Sequence, residues 1–393
     1  LAWHGHAVTL IERQPMPRPK ACGNALTPRA LHQLRDMSLP PTALAGAHRT
    51  VGVRAIGRNH KVDVAWPEHD VYPDYGLVMQ RHVLDAAVLS HAATRGVNVI
   101  EGYEAVQPIV DRGFVRGAIV QQGDGTMVEL HARYVVVADG ADSRFGRSLG
   151  TFRTREWPYA VAASGSWSSI HHADAWLETS LTIRDEHHNH LPGYGWAFPT
   201  GDGTVTIGVG LLSTFRDFKG VNASTMLHTF LTQVAERWDI DVQHPQHRPT
   251  SSRVPMGGSV GPNAGPTYLV VGDAAAMVSP FNGAGIEYAL ETGRLAADVL
   301  HEAIGDDSPA ALQRFPAALD DAYGDYFKCA RLFARFMGKP GMMRHLVDTG
   351  SRNRRAMEWF VRLSSNMLRS DEFGPAEAAF KTASMLMKLA PNA

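Results

Sequence analysis

The chain has 393 residues, 44% hydrophobic and 20% charged, with a net charge of −1. That length exceeds one small core, that composition excludes a disordered or fibrous chain, and the balanced charge gives no general attraction to nucleic acid. Cys22 and Cys329 are the only cysteines, which excludes a disulfide scaffold and a cysteine-rich metal site and fits a reducing cytoplasm.

Residues 6–13, HAVTLIER, read as a buried parallel strand ending at Glu12 and Arg13. Segment 24–37 predicts a helix with Thr27 as N-cap and Pro28 at its first position. Short strands follow over 50–66, then a helix over 81–96 stopped by Gly96. VNVIEGYEAVQPIV, FVRGAIVQQ and MVELHARYVVVADG read as successive strands with a turn at 123–125. Residues 155–210 are strand-like and rich in aromatics and histidines, and a helix covers 223–238. A strand in TYLVVGDAA and a helix over 283–304 restore α/β character, and everything after 308 reads as helical. The order predicts an α/β chain, α+β overall: a Rossmann-like dinucleotide domain interrupted by a β-rich insert, with a C-terminal helical region. No run of eighteen apolar residues predicts a membrane-spanning helix.

Two stretches carry cofactor chemistry. In YVVVADGADSRFGRSLG (134–150) a strand delivers Asp139 and Gly140 to its C-terminal end, where open α/β sheets bind ligands. Asp142 or Ser143 can cap the following helix, and Arg144 and Arg147 stand where an anion could be held. In residues 267–300 a second strand ends in Gly272 and Asp273, and Pro280, Asn282, Gly283, Gly285 and Ile286 lead into a long helix. An acid there can accept from a sugar hydroxyl, and glycines at the helix start are expected to leave N–H groups free for a polarised ring edge. A capped strand-to-helix turn explains either stretch alone but not both together.

GYGWAFPTGDGTVTIGVG (193–210) reads as a hairpin whose first strand carries Tyr194, Trp196, Phe198 and Pro199, the three rings alternating onto one face. DEHHNH (185–190) matches no zinc spacing and reads as a solvated loop. Residues 328–369 hold ten Lys or Arg against Asp348 and Glu358, interleaved with apolar side chains. They read as a basic solvated face or as a surface for anionic lipid.

The paired fingerprints resemble those of FAD-dependent oxidoreductases with the p-hydroxybenzoate-hydroxylase-like fold. RPKACGNALTPRA (18–30), YPDYGLVMQRHVLDAAVL (72–89), GYGWAFP and VSPFNGAGIEYALETG resemble the geranylgeranyl reductase family within it. The tail LSSNMLRSDEFGPAEAAFKTASMLMKLAP (363–391) is similar to mycobacterial-type enzymes that reduce the menaquinone side chain.

The resemblance implies an FAD-binding domain over 1–45, 76–150 and 255–307, a β-rich substrate domain over 46–75 and 151–254, and a helical region over 308–393. It assigns Glu12 to the adenosine ribose, Arg13 and Arg81 to cofactor holding, and Asp139 and Asp273 to the diphosphate–ribityl part. Residues 282–286 then lie near the flavin pyrimidine edge, and Cys22 and Gly23 on the loop approaching its other face. Tyr194 and Trp196 stand with Cys22 as catalytic candidates, and Tyr194, Trp196, Phe198 and Pro199 as the isoprenoid wall. Cys22 as a small buried hydrophobe remains the alternative to a functional role, and Cys329 reads as helical core.

In the family a strand and a Gly-x-Gly-x-x-Gly turn precede the ribose acid. The reading therefore expects a start upstream of Leu1 rather than a genuine fragment. Asn24, Ala276 and Ala284 depart from the family's Asp, Gly and Glu. The expected activity is FAD-dependent saturation of an isoprenoid double bond. A flavin monooxygenase and a non-catalytic truncated paralogue are the alternatives. The external electron donor, NADPH or ferredoxin-type, and the oligomeric state stay open. The expected location is cytoplasmic, peripheral on the inner face of the membrane.

Overall fold

A computed structural model describes residues 1–20, 22–57, 60–342, 353–368 and 374–388. A 3-10 turn (Ala2–His4) precedes β1 (Thr9–Glu12), β2 (Ala25–Leu26) and α1 (Pro28–Asp36). Next come β3 (His48–Thr50), β4 (Gly52–Ile56), β5 (Lys61–Ala65), β6 (Gly76–Val78), α2 (Arg81–Thr94) and β7 (Asn98–Glu101). The chain continues through β8 (Tyr103–Asp111), β9 (Phe114–Gln122), β10 (Met127–His131), β11 (Val135–Val137), α3 (Arg144–Ser148) and β12 (Phe152–Arg153). Then follow β13 (Tyr159–Ser168), β14 (Trp176–Ser180), β15 (Gly193–Pro199), β16 (Thr204–Leu212), α4 (Ala223–Trp238) and β17 (His247–Pro255). Last are β18 (Val260–Gly261), β19 (Tyr268–Val270), α5 (Ile286–Gly305), α6 (Arg314–Met337), α7 (Arg354–Ser364) and α8 (Pro375–Lys388).

The helix starts follow their capping residues. Thr27 Oγ1 accepts from Ala30 N at 3.2 Å with Pro28 at the first helical position, and Asn222 Oδ1 accepts from Ser224 N at 2.8 Å to open α4. The buried positions Met226, Leu227, Phe230, Leu231, Val234 and Trp238 form one apolar stripe on α4. That stripe covers one face of a seven-stranded sheet ordered β17-β13-β16-β15-β14-β4-β5, antiparallel except where β14 meets β4.

The parallel strands form two pairs, β1–β7 and β11–β19. A core of Val137, Leu269, Val270, Tyr288, Leu300, Phe315 and Phe327 joins the second pair to α5 and α6. Helix α7 lays Met357 and Val361 into a cluster with Val64, Trp66 and Leu177.

Four expectations need correction, the first being VNVIEGYEAVQPIV, which divides at Gly102 into β7, paired with β1, and β8, paired with β9. MVELHARYVVVADG is not one strand: β10 closes the sheet β10-β9-β8, whereas β11 pairs with β19. The partner changes in between, since Ala132 N donates to Arg116 O and Val135 N to Thr267 O. Strand β1 is only half-buried, because β7 is its paired neighbour among the described strands. The helix expected from 283 begins at Ile286, because Asn282–Gly285 is held as a loop.

Candidate active site

Strands β11 and β19 run parallel in the register Val137↔Val270, so Asp139–Gly140 and Gly272–Asp273 leave the sheet side by side. Both glycines have positive φ, 87° and 58°, a conformation other residues rarely adopt. A Cβ built on Gly140 meets nothing within 4 Å, and one built on Gly285 stands 3.3 Å from Asp273 Oδ1. Asp139 Oδ2 accepts from Phe145 N at 3.1 Å, while Ser143 Oγ caps α3 through Gly146 N at 3.0 Å. Asp142 pairs with Arg147 instead of capping, and Arg144 is exposed.

The loop before α5 is tied internally. Gly283 N donates to Ser279 O at 2.9 Å and Ala284 N to Asn282 Oδ1 at 3.0 Å, so these two N–H groups are not free as expected. The Asn282 side chain takes up the Ala284 N–H in a local turn, and the Ser279 carbonyl takes up that of Gly283. Helical bonding in α5 starts with Ala289 N donating to Gly285 O, so the Ile286 N–H has no partner within the helix. Pro280 is buried, and Asn282 Nδ2 reaches Ser364 O at the end of α7 at 2.9 Å.

Across from this loop, Asn24 sits at φ 64° with its amide fully used. Its Nδ2 donates to Thr206 Oγ1 (2.9 Å) and Gln80 Oε1 (3.3 Å), and its Oδ1 accepts from Arg81 N at 3.2 Å. Burial works against the Arg81 charge, yet Cys22 and Asp85 together raise its pKa; Asp85 Oδ1 lies 2.8 Å from Arg81 Nε. Glu12 is engaged within the chain, accepting from Arg18 Nη2 at 2.9 Å and Gln14 N at 3.0 Å. Arg13 lies outside this group, 3.7 Å from Glu104.

Tyr194, Trp196 and Phe198 form a row with ring centroids 5.7 Å and 6.4 Å apart. The opposite face of β15 is closed, since a Cβ on Gly195 would meet the Phe230 ring of α4 at 2.3 Å. The Tyr194 hydroxyl donates to the Asn282 carbonyl, and burial raises its pKa well above the usual phenol range. A Cβ on Gly23 would stand 3.0 Å from Phe198 Cε2 and 3.3 Å from Trp196 Nε1, a buried donor with no partner. The aromatic row therefore touches both the Cys22–Gly23 loop and the Asn282–Gly283 loop. Pro199 is buried at the end of β15.

Sequence reasoning missed a buried network linking the helices that follow these two loops. Arg29 Nε and Nη2 bind Glu291 at 2.6 and 2.8 Å, and Gln33 and Tyr323 donate to the same carboxylate at 3.1 and 2.7 Å. Thr27 Oγ1 donates to Glu287 Oε1 at 3.3 Å, and burial pushes the Glu287 carboxyl up to about 7. Two glutamates four residues apart on the apolar face of α5 were the available signal.

The paired acids, the two left-handed glycines and the start of α5 together suit a dinucleotide with a polarised ring. Among the described residues no group of three His, Cys, Asp or Glu is arranged to hold a metal, and no helix is long and apolar enough to cross a membrane. In the 185–190 stretch, Asp185 accepts from His187 N and Asn189 N at 2.9 and 2.8 Å, as a surface turn does. Cys329 packs against the core around α6, and burial pushes its thiol up to about 11. Within 328–369, residues 343–352 and 369 lie outside the described residues; Phe336, Met342 and Trp359 are exposed.

The FAD binding domain family matches residues 1–193. The menaquinone reductase of Mycobacterium tuberculosis H37Rv is 37% identical over 371 residues, covering 94% of this chain and 87% of that protein. Digeranylgeranylglycerophospholipid reductase 1 of Methanopyrus kandleri is 27% identical over 339 residues, covering 85% of this chain and 84% of its own. The crystal structure of a geranylgeranyl bacteriochlorophyll reductase-like protein from Thermoplasma acidophilum superposes with a TM-score of 0.76 at 21% identity. It covers 97% of this chain and 94% of that one, and shows the shared fold. From its two fingerprints, its fold and these relatives, the chain belongs to the geranylgeranyl reductase family of FAD-dependent oxidoreductases.

Proposed function

We propose that this chain saturates a double bond of an isoprenoid lipid, with the menaquinone side chain the foremost candidate. The observation that supports this most is the row Tyr194–Trp196–Phe198, which seats an apolar wall against both loops that flank the ring site. Bound FAD, once reduced by the external donor, would supply the hydride for one alkene carbon. The second carbon takes a proton, so the product gains two hydrogens.

Asp139, Gly140, Gly272 and Asp273 hold the diphosphate–ribityl portion in this reading, Glu12 and Arg81 the nucleotide side, and 282–286 the ring edge. Tyr194 acts by position, because its hydroxyl proton is already given to the Asn282 carbonyl. Cys22, beside Arg81, is the catalytic candidate on the 18–30 loop in this reading. An isolated alkene accepts hydride poorly, so alignment and exclusion of water by the aromatic wall carry much of the rate. We assign the substrate cavity to 46–75 and 151–254, cofactor binding to 1–45, 76–150 and 255–307, and a helical cap to 308–393. The basic, apolar-studded 328–369 region would dock on anionic lipid, and the donor is a nicotinamide or a ferredoxin-type protein.

Mass spectrometry of menaquinones in a host making this protein should show species two hydrogens heavier; an unchanged profile defeats the menaquinone assignment. Oxygen consumption coupled to substrate, with no saturated product, would favour the monooxygenase alternative. Trp196→Ala should cut turnover at least tenfold while FAD stays bound. If that variant loses its fold instead, Trp196 is core and not wall.

A further inference from the structure

Arg331 on α6 is only 5% exposed, the one arginine among the described residues that is fully buried. Four arginines whose side chains are 13–21% exposed are each joined to a carboxylate: Arg18 to Glu12, Arg29 to Glu291, Arg54 to Asp63 and Asp174, Arg81 to Asp85. Among the described residues no carboxylate lies within salt-bridge reach of Arg331. Its Nη1 donates to the Gly257 carbonyl at 2.7 Å, and its guanidinium lies 3.8 Å from the centre of the Trp157 ring. Its Nε is buried with no acceptor. Burial and the neighbouring Arg335 bring its pKa down to about 10, so it stays charged at neutral pH; exposed Asp320 acts the other way without forming an ion pair with it.

The stem of this side chain packs on the turn behind the loop assigned to the ring, and its guanidinium is held at the Gly257 carbonyl. A Cβ on Gly257 would be 2.9 Å from Arg331 Cγ and 3.1 Å from Pro280 Cγ, so one backbone turn separates the arginine stem from Pro280. That turn is pinned to the loop by Gly257 N donating to Val278 O (2.8 Å) and Gly258 N to Ala276 O (2.9 Å).

We propose that Arg331 is an electrostatic positioning residue whose unneutralised charge favours the reduced, negatively charged state of FAD at the 280–286 loop. The proposal rests on the FAD assignment above. Taking up two electrons and one proton adds one negative charge to the cofactor, and a buried cation nearby lowers the energy of that charge more than an ion-paired one does. A simple brace for the Gly257 turn would need the length and packing of the side chain but not its charge.

The test is the midpoint potential of the purified flavoprotein, equilibrated with a reference dye during slow enzymatic reduction. Arg331→Met should disfavour reduction about tenfold, a fall of about 30 mV for a two-electron couple, while Arg331→Lys should stay within a third of that shift. Trp157→Glu places a carboxylate against the guanidinium and should lower the potential similarly with Arg331 intact; Trp157→Phe should not. Wild-type potential in a folded Arg331→Met protein, or equal shifts in the Met and Lys variants, would overturn the proposal. If Arg331→Met does not fold, an unchanged potential in Trp157→Glu overturns it alone. A colourless wild-type protein would instead remove the FAD assignment and this proposal with it.

Discussion

At the scale of single residues, the site depends on places where a side chain is missing. Trp196 fills the space over Gly208, whose added Cβ would lie 2.2 Å from Cζ2 of the indole. Gly208→Ala should therefore drive the ring off its place and cost about 1–3 kcal/mol. Urea unfolding and a shift in tryptophan emission measure the two effects, and turnover should fall with them. Asn24 is the converse case, a side chain whose every polar contact is used. Asparagine tolerates its positive φ, and its donor and acceptor ends suit Thr206 and the Arg81 N–H. The departure from the family's aspartate thus leaves the loop at Cys22 anchored. Ala276 also adopts a left-handed conformation, φ 57°, where the family has glycine; nothing in the structure explains the alanine.

At the scale of elements, α1 and α5 are bound to each other and follow the Cys22–Gly23 and Asn282–Gly285 loops. The Arg29–Glu291 pair and the Thr27–Glu287 bond join them. Because Glu287 is buried, its carboxyl is raised from 4.5 to about 7. A raised carboxyl favours the folded state while protonated, fully below pH 4.5, and that contribution is lost as pH rises through about 7. The shift corresponds to roughly 3 kcal/mol. Glu287→Gln should flatten the stability profile across that window, read as the difference in urea midpoint between pH 5 and pH 8. An unchanged slope would place the pH dependence elsewhere.

At the scale of the whole molecule, the seven-stranded sheet separates two environments. Gly195 and its face meet Phe230 of α4, while Tyr194 on the other face reaches the loop before α5. The C-terminal helices close the same region, since Ser364 O accepts from both Asn282 Nδ2 and the Tyr326 hydroxyl at 2.9 Å. Exposed Phe336, Met342 and Trp359 belong to this cap. Vesicles containing anionic lipid should float the protein, neutral vesicles should bind it several-fold less, and added salt should weaken the binding. Equal binding to neutral vesicles would leave no role for the basic residues.

What the sequence determined alone is what local physics encodes. The two-residue period of a strand put Tyr194, Trp196 and Phe198 on one face, and Thr27–Pro28 marked the start of α1. Acid–glycine signatures marked where β11 and β19 end, just before Asp139 and Asp273. Tertiary structure decided which of these surfaces meet. The 127–140 run reads as one strand because both halves are apolar and extended, and only its two partners show where it divides. Arg29 and Glu291 are 262 positions apart, and no local pattern pairs them. Arg331 looks in sequence like one more basic residue of a solvated helix. Its burial without a carboxylate depends on the Gly257 turn and Trp157 packing over it, contacts that only the folded chain brings together.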